Sequence, residues 1–322
     1  MVNVRYRRQH FARTLGITQR QLAEADRRPE LASLGGAPDS YGARHLSAYR
    51  SALKRHPHRR PLSRQLFLNL KGGTGKTCLS VAYAYRLAEI GHRVLLIDLD
   101  SQAHATQHLG LPEGEVERTL YDVLIDKVPL EHAVARTALA ELDVLPANLG
   151  MTTVDLSLMP MAGREYRLRR ALDDLAGAYE FVVMDAPPSF GLLNLNALIA
   201  ADDLFVPVLP DFLSFHGLKL LFETLGQLEE DLDHTLRRIV IVLNHYNPTT
   251  RIAREARSAL RTHYPEFLSQ TTVRQCTEFA QASSGGAPIT ALAPHCRGAK
   301  DVRSLVDEII DAPIERGEEQ SA

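Results

Sequence analysis

Cysteine is scarce in this chain of 322 residues, and Cys78, Cys276 and Cys296 are its only three. They cannot all pair with one another and show no CxxC spacing, which excludes a disulfide framework, points to a reducing compartment and argues against a structural zinc site. Long apolar runs are missing as well. No stretch approaches the ~18 residues that a membrane span requires. The opening residues, MVNVRYRRQHFARTLG, are basic but contain no apolar segment of the secretory type, so the expected location is the cytoplasm. No internal repeat is visible, and only a Glu-rich tail, residues 315–322, reads as disordered.

Net charge is nearly absent too, at −2, until the chain is divided. Residues 1–64 hold 14 Lys+Arg against 4 Asp+Glu, whereas residues 65–322 hold 23 against 35. A short basic unit thus precedes an acidic body. The asymmetry points to a polyanion as the partner of the first part, with a solvated basic arm as the plainer alternative.

Within the basic unit, Phe11–Leu22 reads as helix, turn, helix. Gly16 can take the left-handed conformation that ends the first helix, Ile17 can pack into the angle, and Thr18 with Gln21 forms a capping box that opens the second. The second helix then presents Gln19 and Arg20 outward, with Arg27 and Arg28 beyond it. A further short helix is expected over Tyr41–Leu53, and Lys54–Pro61, with its two prolines, reads as a linker. The arrangement resembles the winged helix-turn-helix of MerR-type DNA-binding domains, which makes Gln19 and Arg20 candidate DNA contacts. A purely structural three-helix cap is the alternative.

From Arg64 onward, apolar strands alternate with helical stretches. Candidate strands are Gln65–Leu70, Arg93–Asp98, Leu142–Pro146, Phe181–Asp185, Leu204–Val208 and Arg238–Leu243. Their hydrophobicity is continuous, as in Val94–Ile97, which is the pattern of a strand covered on both faces. The expected fold is α/β, a doubly wound, mostly parallel sheet of the P-loop type over residues 65–314, behind the small helical unit of residues 1–64.

Where the first strand ends stands Asn69-Leu-Lys-Gly-Gly-Thr-Gly-Lys-Thr77. Glycines at 72, 73 and 75 allow successive N–H groups to turn inward and, with the following helix N-terminus, to cradle phosphate. The cradle is expected to run from Lys71 through Gly72, Gly73, Thr74, Gly75, Lys76 and Thr77 to Cys78, whose side chain reads as buried packing. Lys76 would reach the β- and γ-phosphates of ATP, and the Thr77 hydroxyl would ligate Mg²⁺. Position 70 is Leu where the general Walker A pattern has Gly, and Lys71 is an additional lysine.

The form K-G-G-x-G-K-T resembles the deviant Walker A loop of the ParA/MinD family of ATPases. Leu95–Gln102, with Asp98 and Asp100, is similar to that family's V-D-x-D-P-Q segment, Ser101 replacing Pro. Phe181–Ser189, with Asp185, is similar to its Walker B strand and D-x-P-P-S continuation. Asp203–Leu218, Ala282–Ile289 and Arg297–Ala299 extend the likeness to about residue 310.

The resemblance implies an ATPase in which two copies sandwich two ATP molecules. Lys71 would cross to the other copy's phosphates, Asp100 would position the attacking water, and Asp98 and Asp185 would hold Mg²⁺ directly or through water. It further implies non-specific DNA binding by the ATP homodimer on the nucleoid, and release by a ParB-type adaptor in DNA partitioning of a plasmid or chromosome. The N-terminal unit adds the expectation of binding to the protein's own operator, as in plasmid-type members of the family, while a protein cargo and an ATP-switched transcriptional regulator without a partitioning role remain alternatives. The acidic chain end lacks the basic amphipathic helix of a membrane-bound relative, so no membrane partner is expected. Where the family has a DNA-contacting arginine, this chain has Glu278. Arg251, Arg254, Arg257 and Arg261 fall on one side of a helix and offer a substitute, or else a solvated arginine face.

Overall fold

Six runs of continuous apolar residues become strands of one sheet, because helices cover both of its faces. The computed structural model describes residues 4–34, 40–111, 116–175, 177–211, 213–232 and 234–312, so the tail expected at 315–322 lies outside the described residues. In chain order the strands are β1 (Arg5–Arg7), β2 (Ser40–Gly42), β3 (Ser63–Phe67), β4 (Val94–Asp98), β5 (Ala135–Arg136), β6 (Leu142–Leu145), β7 (Phe181–Asp185), β8 (Asp203–Val208) and β9 (Arg238–Leu243). Seven of them form a sheet in the order β5-β6-β4-β7-β3-β8-β9, parallel except for the short edge strand β5. Successive strand residues bury into different cores: Leu96 and Val183 pack on one face, Leu95, Ile97, Val182 and Met184 on the other.

All six expected strands are present, and β7 and β9 occupy the expected residues. β3 ends earlier than Leu70. Leu68 N–H still donates to the Phe205 carbonyl at 3.0 Å, but the Asn69 side chain then takes the Pro207 carbonyl at 2.7 Å and the Lys71 N–H at 2.9 Å, which draws the backbone out of the ladder. The two-residue β5 is too short to leave a sequence pattern. Strand register assembles the motifs: β4 and β7 pair so that Asp98 lies opposite Asp185, and β3 places Phe67 on the other side of Asp185. The ends of all three motif-bearing strands are therefore neighbours.

The N-terminal residues build a separate ribbon and four short helices, Arg8–Thr14, Gln19–Ala25, Pro29–Ala32 and Ala43–Ala52. Gly16 is left-handed (φ +67°), and the capping box forms, with Gln21 N–H donating to Thr18 Oγ1 at 3.2 Å and Thr18 N–H donating to Gln21 Oε1 at 2.9 Å. Tyr41 does not open the last helix as expected. It is extended, pairs with Tyr6 and stacks on Phe11 at 4.1 Å, which delays the helix to Ala43.

This unit is fastened to the helix immediately after β3, Lys76–Glu89. The Tyr6 and Tyr85 hydroxyls are hydrogen-bonded at 2.7 Å, and His10 Nε2 lies 3.6 Å from Glu89 Oε1. Arg50, 1% exposed, donates to the Glu89 carbonyl at 2.6 Å and pairs with Glu141 at 3.3 Å. Gly91 makes room for it: at φ +108°, a Cβ there would sit 2.6 Å from Arg50 Nε. Burial alone would push the Glu89 carboxyl up, but His10 and Arg86 hold it below the usual carboxylate range.

Arg50→Ala therefore leaves a buried carbonyl and the Glu141 carboxylate without their donor, and the unfolding free energy should fall by on the order of 3 kcal/mol. Urea titration measures it. A loss below about 1 kcal/mol, the scale of an exposed pair, would mean that the unit is not held through Arg50.

Candidate nucleotide-binding site

The loop between β3 and the helix Lys76–Glu89 is shaped by two left-handed glycines, Gly73 (φ +73°) and Gly75 (φ +83°). Gly75 is required for a second reason. A Cβ there would fall 2.3 Å from Asn244 Nδ2, and Asn244, buried just beyond β9, donates that amide to the Thr74 carbonyl at 2.8 Å. Asn69 and Asn244 thus hold the loop from β8 and β9. Asn69 opens the glycine motif, but Asn244 does not stand out in the sequence, because a lone Asn at a strand end carries no motif; the apolar strand preceding it is the available signal.

The two lysines of the loop take different positions. Lys76 is 6% exposed, its ammonium 3.4 Å from the Lys71 carbonyl, and burial holds it below the usual lysine range against the pull of Asp185 and Asp100. Lys71 is partly exposed and its ammonium is paired with Asp211 at 2.7 Å. Partial burial pushes Asp211 up, yet hydrogen bonds from Lys71 and Ser214 hold its carboxyl below the ordinary value. Cys78 turns its thiol to Ser283 Oγ at 3.3 Å, so a phosphate would meet only its backbone N–H.

Asp98 and Asp185 are both fully buried, side by side. Burial pushes Asp98 up to about 6, despite hydrogen bonds from Thr106. Burial, then the charge of Asp98, pushes Asp185 up to about 7. Their environments differ. Asp98 accepts from Asp100 N–H at 3.1 Å and from Thr106 N–H and Oγ1 at 2.9 and 2.8 Å, so it braces the turn carrying Asp100. Asp185 accepts from Ser80 Oγ at 3.0 Å through Oδ1, while its buried Oδ2 has no hydrogen-bond partner among the described residues. Asp100 is half-buried, with Oδ1 taken by Gln102 N–H at 3.0 Å.

The chemistry of this arrangement is that of a cation-assisted phosphate site. A glycine cradle at a helix N-terminus, a buried ammonium, and an orphaned carboxylate oxygen beside the Thr77 hydroxyl fit ATP and Mg²⁺.

The structure does not bring the DNA-binding candidates into this site. Gln19 and Arg20 are exposed on the N-terminal unit, Arg20 paired with Glu24 at 3.2 Å. On the helix Arg251–His263, Arg251 pairs with Glu255 at 2.6 Å, Arg254 donates to the Pro248 and Thr249 carbonyls, and Arg257 lies over the Tyr246 ring at 5.6 Å.

Comparison with known proteins agrees with the geometry. A family model described as an AAA domain matches residues 66–238. The chain is 54% identical over 305 residues to the cell division protein PomZ of Myxococcus xanthus (strain DK1622), covering 95% of this chain and 92% of that one. It is 33% identical over 241 residues to the sporulation initiation inhibitor protein Soj of Bacillus subtilis (strain 168), covering 75% and 95%. The solved cobyrinic acid a,c-diamide synthase from Mycobacterium smegmatis, with bound ATP analog and magnesium, has a TM-score of 0.66 at 28% identity, covering 77% and 94%. The match to PomZ is too long to omit the N-terminal unit.

Because burial raises Asp98 and Asp185, the folded chain binds protons that the unfolded chain has released. The stability tied to their neutral forms is complete below about pH 4 and is lost as pH rises through about 6 to 7. Asp185→Asn should therefore stabilise the nucleotide-free protein at alkaline pH, flatten that loss, and abolish Mg²⁺-dependent nucleotide binding. Thermal melts across pH check the first two; a variant that melts lower than the parent at alkaline pH would overturn the assignment.

Proposed function

This chain belongs to the ParA/MinD family of P-loop ATPases, and from that membership we propose that it is an ATP-gated positioning protein. Two copies close on two nucleotides, the closed dimer holds DNA without sequence preference on the nucleoid, and adaptor-stimulated hydrolysis releases it. The observation that carries this reading is the pair of lysines: Lys76 is buried in its own cradle, whereas Lys71 is part-exposed and held outside it by Asp211, a pair it would exchange for the phosphates of a second copy. An ammonium brought across an interface supplies charge to the transferring phosphate as an arginine finger does.

The remaining roles belong to the same edge of the sheet. Thr77, Asp98 and Asp185 would hold Mg²⁺, directly or through water, and the cation would supply positive charge to the phosphate oxygens. Asp100, held on the turn that Asp98 braces, orients the attacking water. Four exposed large hydrophobic residues, Leu149, Leu156, Met159 and Phe190, follow β6 and β7 in the chain and are candidates for contact with the second copy.

The match to a cell division protein that runs through the N-terminal unit favours a protein cargo tied to division. The similarity to Soj supports the second reading, DNA partitioning with a ParB-type adaptor. Identifying the protein that stimulates ATP hydrolysis in the presence of DNA separates them.

Lys76→Ala should abolish nucleotide binding, while Lys71→Ala should bind ATP and remain monomeric in size-exclusion chromatography. Asp211→Asn removes the competitor for Lys71, an exposed pair worth at most about 1 kcal/mol in each of the two copies, and should strengthen ATP-dependent dimerisation by up to about 25-fold. Equal dimerisation of the parent and Lys71→Ala would remove the sandwich.

We assign non-specific DNA contact to the arginine helix and sequence-dependent contact to Gln19 and Arg20. Deleting residues 1–64 is not a clean test, since it cuts into β3 and bares Tyr85 and Glu89. Replacing Arg251, Arg254 and Arg257 with Ala should instead lower the salt slope of log affinity for random duplex by about two to three for each arginine helix of the dimer that meets DNA. Gln19→Ala with Arg20→Ala should remove preference for the upstream operator and change that slope by at most about one. Gel shifts at several salt concentrations read both; an unchanged slope in the triple variant would leave the helix merely solvated.

A further inference from the structure

Two cysteines that the sequence keeps apart meet in the structure. Cys276 is buried in the turn before the helix Glu278–Ser284, and Cys296 caps the N-terminus of the helix Arg297–Asp311. The two thiol sulfurs and a Glu278 carboxylate oxygen all lie within 4.8 Å of one another. We propose that Cys276, Glu278 and Cys296 form a binding site for a soft divalent cation, Zn²⁺ in the first place, separate from the nucleotide site.

The dimensions suit it. With Zn–S bonds of ~2.3 Å in a tetrahedral site, two thiolates sit about 3.8 Å apart, so small side-chain adjustments admit the ion. Cys276 Sγ already donates to Glu278 Oε2 at 2.7 Å; a cation displacing that thiol proton finds the carboxylate as its next ligand. Binding releases the two thiol protons to solvent, and two thiolates, one carboxylate and the cation leave a single negative charge. The fourth position is available to water or an external donor.

The surroundings hold the ligands in place. Ala299 N–H donates to Cys296 Sγ at 3.3 Å, which supports a thiolate at a helix N-terminus, and Thr277 Oγ1 donates to Glu278 Oε2 at 3.2 Å. Arg274 grips both oxygens of Asp301 through Nε and Nη2, at 2.9 and 2.7 Å, and so ties the segment leading into the turn to the helix that carries Cys296. Sulfur in the donor set selects against Mg²⁺, which takes oxygen, so the cation at Asp185 and the cation here do not compete. An ion at this place would also fix the helix Glu278–Ser284, whose Ser283 touches Cys78 beside the phosphate loop.

The test uses the reduced full-length chain, stripped with a chelator. Co²⁺ should bind and give a thiolate-to-metal charge-transfer band, which Zn²⁺ abolishes by displacement. The band should be lost in Cys276→Ser and in Cys296→Ser, weakened in Glu278→Gln, and kept in Cys78→Ser; Co²⁺ at the oxygen-lined nucleotide site gives no such band. Alkylation of the unsubstituted protein, mapped by mass spectrometry, keeps the answer independent of whether a variant folds: Zn²⁺ should shield Cys276 and Cys296. Absence of the band, its survival in both cysteine variants, or equal alkylation with and without Zn²⁺ would overturn the proposal.

Discussion

Two buried carboxylates at the ends of adjacent parallel strands set the terms for the nucleotide edge of this protein. The register that aligns the apolar residues of β4 and β7 leaves no choice but to bring Asp98 and Asp185 together. Water is excluded, so each carboxyl is driven toward its neutral form. The fold satisfies Asp98 with Thr106 and the Asp100 N–H, and among the described residues gives Asp185 the Ser80 hydroxyl on Oδ1 with Thr77 beside it. What is left is an unpaired oxygen beside a phosphate cradle. A cation bound there would relieve the local disadvantage that packing imposes on the nucleotide-free fold.

The helix Lys76–Glu89 links that edge to the rest of the molecule. Its N-terminus, where unsatisfied N–H groups gather, faces the phosphate loop, and its far end is clasped by Tyr6, His10 and Arg50 of the N-terminal unit. The core of that unit runs continuously into the core beneath the sheet. Contacts made by the N-terminal unit and contacts made by nucleotide therefore bear on opposite ends of one rigid element, which a tethered basic arm would not achieve.

The basic residues show why charge counts alone are a blunt guide. Arg50, among the cations of the basic unit, serves packing against Glu89 and Glu141, whereas Arg20 remains at the surface. The arginines of Arg251–His263 are on one side of their helix, as their spacing predicts, but Arg251, Arg254 and Arg257 each have a partner within the chain. A phosphate meeting them would have to displace those partners, so the gain from each contact would be smaller than for an unpaired side chain.

The sequence by itself determined the parallel sheet, the phosphate loop and its metal, because these rest on local rules: continuous apolar runs, glycine torsions and the order of residues along a strand end. It also determined the turn at Gly16 and the cap at Thr18, which involve neighbours a few residues apart. Only the tertiary structure decided which groups converge from afar. Asn244 meets Gly75 across the sheet, Asp211 meets Lys71, Arg50 meets Glu89, and Cys276 meets Cys296. Spacing argues against a metal role for the cysteines, since a CxxC turn is the only arrangement that proximity in sequence can announce. Packing brings the two together because Arg274 and Asp301 bind their segments, a contact no periodicity encodes.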